Sequence, residues 1–496
     1  MFILPASASP LNPTLNVAMV CPQDMRLMPL ELDARAPTSI LKLVYESLVT
    51  MDDQRNIVPN LAESYTYVGG NMWEFTLRQG ITFHDGSPLT AQDAVDTLNA
   101  ISALAKQGLG QYRQTTEVLA DWEAKSEFVL RVRAKNSSYA TLYAMTFPVV
   151  RGSTASYECP PGTGPYNIAF YQAGGHLLLT RNDRWWQRVP IYTSITAKWY
   201  KTDADALNAF QSGDVDLLQT RSQSATRYRG IAGSSIQSIL YSTNQLELLL
   251  FNNIGAKWGN LEHKKAVAHA IDRTRLASAV YQNMVVTTDN IAPPGSAWYN
   301  DTSTAYQYNP DSSNRMLDAL GYTQRSANGF RIDPATGEAL TVRLFYYDEA
   351  GTTFRHDAAF LIDDMLAVVG IDCKITYFQQ ENAVKKLDIA DFDLFLIGLN
   401  MSDVPDPTFF ISRSSSTNYS RYRSEDIQKL LQSTATEYDA QKFYETLGLI
   451  QARMSYDLPM LPLYYRGGML VMRGVYLTAV NVRENDALRT FAQANK

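Results

Sequence analysis

The chain has 496 residues, more than one hydrophobic core can organise, so two or three domains are expected. Its 44 Lys and Arg against 50 Asp and Glu give a net charge of −6, which argues against a nucleic-acid partner. No apolar run approaches the roughly 20 residues that a bilayer-spanning helix needs, and three cysteines (Cys21, Cys159, Cys373) allow one bridge with at least one thiol left over.

The first residues, "MFILPASASP", end in Ala6-Ser7-Ala8, a small-x-small cleavage pattern. Residues 1–13 therefore read as an export-signal remnant or a disordered tail, outside the fold. "LNVAMV" (15–20) reads as a buried strand, and the spacing of Ile40, Leu43, Val44 and Leu48 predicts a helix over 40–49. Trp73, Phe75 and Leu77 alternate in a hairpin closed by Asp85-Gly86. Thr90, with Asp93 three residues on, predicts a capped helix over 89–102. Residues 127–134 alternate as a further strand.

"PPGTGPY" (160–166) packs prolines and glycines ahead of a strand-like run. It lacks the lysine and helix start of a phosphate loop, and proline removes amide donors, so it reads as a stiff turn. Strands are expected at 176–183 and 195–200, then a helix from 203 stopped by Gly213, then another strand. That succession predicts parallel pairing. A second α/β block follows from about 246: a strand, one long helix over 262–281, a turn and a capped short helix within 308–322, a strand at 340–348 and a helix over 355–370. Two more strands, a helical pair over 424–457 and a strand at 459–465 complete it.

Several chemistries are missing. Ser39-Ile40-Leu41-Lys42 spells Ser-x-x-Lys without its companion motifs, so Ser39 reads as a helix N-cap. The histidines (84, 176, 263, 269, 356) include no pair at i, i+4, and there is no Cys-x-x-Cys. No metal site and no cofactor is expected. Asp403 and Asp406, in "SDVPDPTFF", suit either acid–base work or ligand capture at a strand end.

Seven segments in order resemble the extracytoplasmic solute-binding proteins of family 5, which serve ABC importers of peptides and nickel. They are "LVYESLVTMDDQRNIVPNLAESY", "WEFTLRQGITFHDGSPLTAQDAV", "GTGPY" with "LTRNDRWW" and "SGDVD", "KKAVAHAIDRTRL", "YNPDSSNRMLDALGY", "DVPDPTFF" and "LPMLPLYY". The resemblance runs over nearly all of 14–480. It implies an α/β, two-lobed periplasmic-binding-protein-like fold (class II, cluster C) with an extra subdomain inserted in lobe I. Lobe I would comprise 14–40, 159–248 and 462–496, the insert 41–158, and lobe II 249–461. The "GTGPY" turn would return the chain from the insert to lobe I, set by proline stiffness and glycine φ freedom.

The function implied is capture of a short peptide between two closing lobes, outside the cytoplasm, and delivery to a membrane permease. A monomer, free or lipid-anchored at the cell surface, is expected, and no enzyme. In peptide-binding relatives the aspartate three residues before the acidic-Pro pair holds the α-ammonium; Asp403, before Asp406-Pro407, stands there. A ligand carboxylate needs a cation, for which Arg355, Arg413 and Arg151 are candidates. Asn418 beside Arg413 resembles the nickel and metallophore branch, the alternative ligand class; Val404 and Met401 depart from that branch and no histidine follows. Tyr112, and after it Trp122, are candidates for the cleft wall. A secreted hydrolase is the remaining alternative, and no nucleophile–base pair supports it.

Overall fold

The computed structural model describes residues 13–22, 25–31, 35–155, 157–230, 235–349, 351–475 and 482–488. The export-signal reading of Ala6-Ser7-Ala8 lies outside them. The chain forms two compact units, Met1–Tyr241 with Gly468–Lys496 and Ser242–Gly467. It passes from one unit to the other inside two strands, Ile236–Phe251 and Met460–Arg473.

In the first unit the strand Thr14–Val20 lies between two parallel neighbours, Ser194–Tyr200 and Leu217–Thr220. The helix Asp203–Ser212 connects those neighbours, capped by Thr202 and ended at Gly213, whose φ of 86° suits glycine. His176–Arg181 and Tyr166–Tyr171 continue the sheet antiparallel on one side, and residues 469–472 close it on the other. Within 41–158 the chain builds a separate antiparallel sheet in the order Ala62–Gly69, Met72–Leu77, Val129–Ala134, Leu119–Ser126. Trp73, Phe75 and Leu77 are buried there, as their alternation predicts. The helix Ala91–Lys106 has the expected reciprocal cap, with the Thr90 amide donating to Asp93 at 3.0 Å.

Three local expectations fail in this unit for a tertiary reason. The helix predicted over 40–49 is found at Arg35–Leu41, and the chain then turns. The carbonyls of Leu43 and Val44, which a helix would use internally, accept instead from the amides of Tyr166 (3.0 Å) and Gly164 (2.9 Å). Ser39 sits inside that short helix rather than capping it; its hydroxyl donates to the Glu484 carbonyl and accepts from the Ala487 amide. Finally, Gly162 and Gly164 do not have positive φ. A β-carbon on Gly164 would stand 2.6 Å from the Leu43 carbonyl oxygen, and one on Gly162 would collide with that of Val44, so close backbone approach requires these glycines.

The second unit carries Asp372–Tyr377, Thr341–Tyr346 and Leu394–Asn400 as parallel neighbours in that order, with residues 245–251 antiparallel to the last. The amphipathic helix Phe354–Val368 crosses from the second of these strands to the first. The long helix expected over 262–281 is two, Leu261–Ala270 and Arg273–Tyr281, because Asp272 leaves the helical path and caps the second by accepting from the Arg275 amide at 3.0 Å. A core of Leu249, Phe251, Val342, Leu344, Ile362 and Leu396 fixes the sheet against these helices. Leu394–Asn400 runs past its parallel neighbour, whose last residue Tyr346 pairs with Leu396, stays paired with the antiparallel strand as far as Asn400, and leads into the loop holding Asp403.

Candidate ligand-binding residues

Leu394–Asn400 delivers the chain into a short loop whose own hydrogen bonds shape it. The Met401 amide donates to the Asn244 carbonyl at 2.7 Å, which carries the strand pairing one residue further. The Asp406 amide then donates to the Val404 carbonyl, and the Val404 amide to Ser402 Oγ. Asp406 is exposed and accepts from the Thr408 amide at 2.8 Å, a local turn contact. Asp403 is half-buried, and Asn244 Nδ2 stands 3.4 Å from its Oδ1.

The same stretch of strand organises a group of charges. Gln245 donates to Glu349 at 2.6 Å, and Glu247, fully buried, pairs with Arg355 through two bonds of 2.8 and 3.0 Å. Arg466 pairs with Glu247 at 2.7 Å and Glu349 at 2.8 Å. Arg355 also reaches Glu349 and the Tyr347 carbonyl, and its guanidinium lies 4.6 Å from the Tyr347 ring centroid. Gly398 leaves the space that this guanidinium fills. Burial opposes the charge on Arg355, but the Glu247 carboxylate outweighs it and the pKa is raised. For Glu349 burial pushes upward, and Arg466 and Arg355 together bring its carboxyl below the ordinary range. Two cations thus meet two anions in a set closed in charge, though Arg466 Nε and Nη2 make no aligned hydrogen bond among the described residues.

The other predicted residues of this unit have local tasks. Arg413 is exposed and pairs with Glu425, also exposed, at 3.2 Å. Asn418 is buried and donates to the carbonyls of Ser412 and Tyr422 while accepting from Ser420, which fixes the turn after the Asp403 loop. Tyr112 and Arg151 lie in the first unit. Arg151 pairs with Asp85, which lies in the turn inside the Thr82–Pro88 bridge; the hairpin expected from Trp73 to Gly86 does not form, because Met72–Leu77 pairs with Ala62–Gly69 and Val129–Ala134. Tyr112 lines a cavity of about 110 Å³ together with Lys42, Glu46, Trp185, Arg483 and Asp486.

Sequence reasoning named Lys42 only within the dismissed Ser-x-x-Lys pattern and did not single out the other four as site residues. Glu46 is 7 % exposed, and Trp186 Nε1 donates to both its oxygens at 3.0 and 3.2 Å. Burial pushes its carboxyl up to about 7, against the pull of Trp186, Thr163 and Trp185. Thr163 Oγ1 and Trp185 Nε1 stand near enough to favour the ionised form but make no aligned bond. Burial, and then the Asp486 charge, raise the Tyr112 phenol above its ordinary range. Arg483 donates to the carbonyls of Met51 and Asp52 and to Asp486, which ties residues 482–488 to the strand Val49–Met51.

Residues 56–421 match the family described as bacterial extracellular solute-binding proteins, family 5. The chain belongs to that family. Among its members, the oligopeptide-binding protein AppA of Bacillus subtilis is 22% identical over 464 residues, 88% of this chain and 83% of that one. The nickel-binding periplasmic protein of Escherichia coli is 23% identical over 61% of this chain and 60% of its own. In fold, this family 5 protein matches the unliganded open form of the periplasmic murein tripeptide-binding protein MppA with a TM-score of 0.83 at 16% identity, over 97% and 96% of the two chains. The nickel ABC transporter protein of Bacillus halodurans gives 0.83 at 16% identity, over 95% and 98%. Family 5 proteins are binding proteins of the extracellular side. No helix among the described residues is long and apolar enough to cross a membrane, and no group of three His, Cys, Asp or Glu among them could hold a metal ion.

Proposed function

We propose that this protein captures short peptides for an ABC importer and passes them to its membrane permease, with Asp403 receiving the peptide's α-ammonium. Alignment with an oligopeptide-binding protein along most of both chains carries the reading. At residue level it is supported by a half-buried carboxylate just beyond the carboxyl end of Leu394–Asn400, steadied by Asn244. An ammonium and a carboxylate that lose water together make a charge-assisted bond that neither makes as well when solvated. Asn418 shapes the turn beyond the loop, and Arg355 holds Glu247 in place. Tyr112 offers a ring to the ligand within its own unit.

The test is calorimetry with a tri- to pentapeptide library and its N-acetylated counterpart. Asp403→Ala is expected to lose the free-amine peptides, and acetylated peptides are expected to bind the intact protein poorly. Equal binding of the two libraries by the intact protein would remove the ammonium role. The nickel-binding relative supports a second reading, an organic metal chelate. With no three-ligand group among the described residues, such cargo would arrive with its own ligands.

A further inference from the structure

The cavity of the first unit is unbalanced in its hydrogen-bonding groups. Its buried acceptors are already engaged: Glu46 takes Trp186 on both oxygens, and Asp486 takes Arg483 Nη2 at 2.7 Å. Its donors are in excess. Arg483 Nε and Trp185 Nε1 are buried and make no hydrogen bond among the described residues. Ammonium, guanidinium and indole N–H groups can only donate, so no rotation among them satisfies these atoms. Lys42 has its side chain one-third exposed, and its Nζ lies 3.8 Å from Asp486. A charge-assisted bond closes to about 2.7–2.9 Å, so this ammonium is held loosely and can turn to another acceptor.

Charge points the same way. The charged groups facing the cavity are Lys42, Arg483, Asp486 and Glu46. When Glu46 is protonated, two cations face one carboxylate. The cavity, about 110 Å³, has room for several waters or for a carboxylate group. An entering group that only accepts and is negative would meet the idle donors and balance the charge.

We infer that this cavity is a carboxylate-binding site, in which Lys42 is the pairing cation and Arg483 and Trp185 form the donor wall. The inference rests on the solute-binding reading and adds the cation that Arg355, Arg413 and Arg151, each already paired, do not supply within their own surroundings. The carboxylate belongs to a peptide's C-terminus or to an organic metal chelate.

Three probes separate these cases, measured by calorimetry and native mass spectrometry: a tri- to pentapeptide library, its C-terminally amidated form, and nickel citrate. The carboxylate-bearing ligand is expected to bind roughly tenfold better to the native chain than to Lys42→Met. The amidated library should not distinguish the two proteins, and Lys42→Arg should restore binding. An unchanged melting temperature of Lys42→Met separates lost binding from lost folding. If free and amidated peptides bind equally, or Lys42→Met changes nothing, the carboxylate site is refuted while peptide capture stands. If only nickel citrate binds, and Lys42→Met weakens it, the site stands and the peptide reading fails. Failure of all three to bind refutes both.

Discussion

Two charged centres, one in each unit, show how differently buried ions can be used. In the second unit the charges of Glu247, Arg355, Glu349 and Arg466 balance two against two, although Arg466 Nε and Nη2 make no aligned hydrogen bond among the described residues. In the first unit the acceptors are engaged and two buried N–H groups make no hydrogen bond among the described residues, while the loosely held Lys42 ammonium is one-third exposed. A set closed in charge has no net charge to offer a ligand. An open set has a vacancy of defined sign. Unused N–H groups occur in both; what separates the two is that each charge in the second unit has a close opposite charge, whereas Lys42 in the first stands 3.8 Å from Asp486.

The largest expected effect tests the closed set. Arg355→Met leaves Glu247 buried with one of its two cations, and losing a partner from a buried pair costs roughly 3–5 kcal/mol. Urea denaturation should show that loss. A variant with unchanged stability and lost peptide binding would make this centre a ligand site after all, and the contrast would fail. The arrangement itself is weak evidence of net stabilisation, because an apolar replacement of the whole set can be as stable.

Glu46 gives the next effect. Its carboxyl is raised from 4.5 to about 7, so between those values the folded protein binds more protons than the unfolded chain. Stability is then greatest below pH 4.5 for this group and falls as pH rises towards 7. The loss is on the order of 3 kcal/mol. Glu46→Gln keeps an acceptor for Trp186 and should flatten this part of the stability–pH curve. A curve that keeps its slope in the variant would mean that Glu46 is ionised in the fold, and the cavity would lose its positive excess. The smallest effect sharpens the contrast from the surface: the Arg413–Glu425 pair is exposed on both sides, so Arg413→Ala should change stability by less than about 0.5 kcal/mol.

Much of the architecture was legible because its determinants are local. The Thr90–Asp93 cap, the alternation of Trp73, Phe75 and Leu77, and the Gly213 stop each act over a few residues, and each was found where expected. The loop with Asp403 was legible through its resemblance to the family segment. The helix expected over 40–49 was not, because its carbonyls are claimed by Gly164 and Tyr166, more than a hundred residues on. Asp272 shows a nearer miss: an aspartate within a helical pattern can cap a new helix, and that signal was available.

By itself the sequence determined the periodicities, the caps, the order of strands and helices, and the carboxylate placed at a strand end, since these follow from neighbours in the chain. Tertiary structure decided which charges are committed. Arg355 reads in sequence like any arginine at a helix start, and only the strand passing beside it supplies Glu247. Ser39 meets the backbone of Glu484 445 residues away, and Lys42 and Asp486 face one cavity only because of that closure. Electrostatic and hydrogen-bond partners act through space over a few ångströms, so whether a charge is used or idle is a property of the folded neighbourhood.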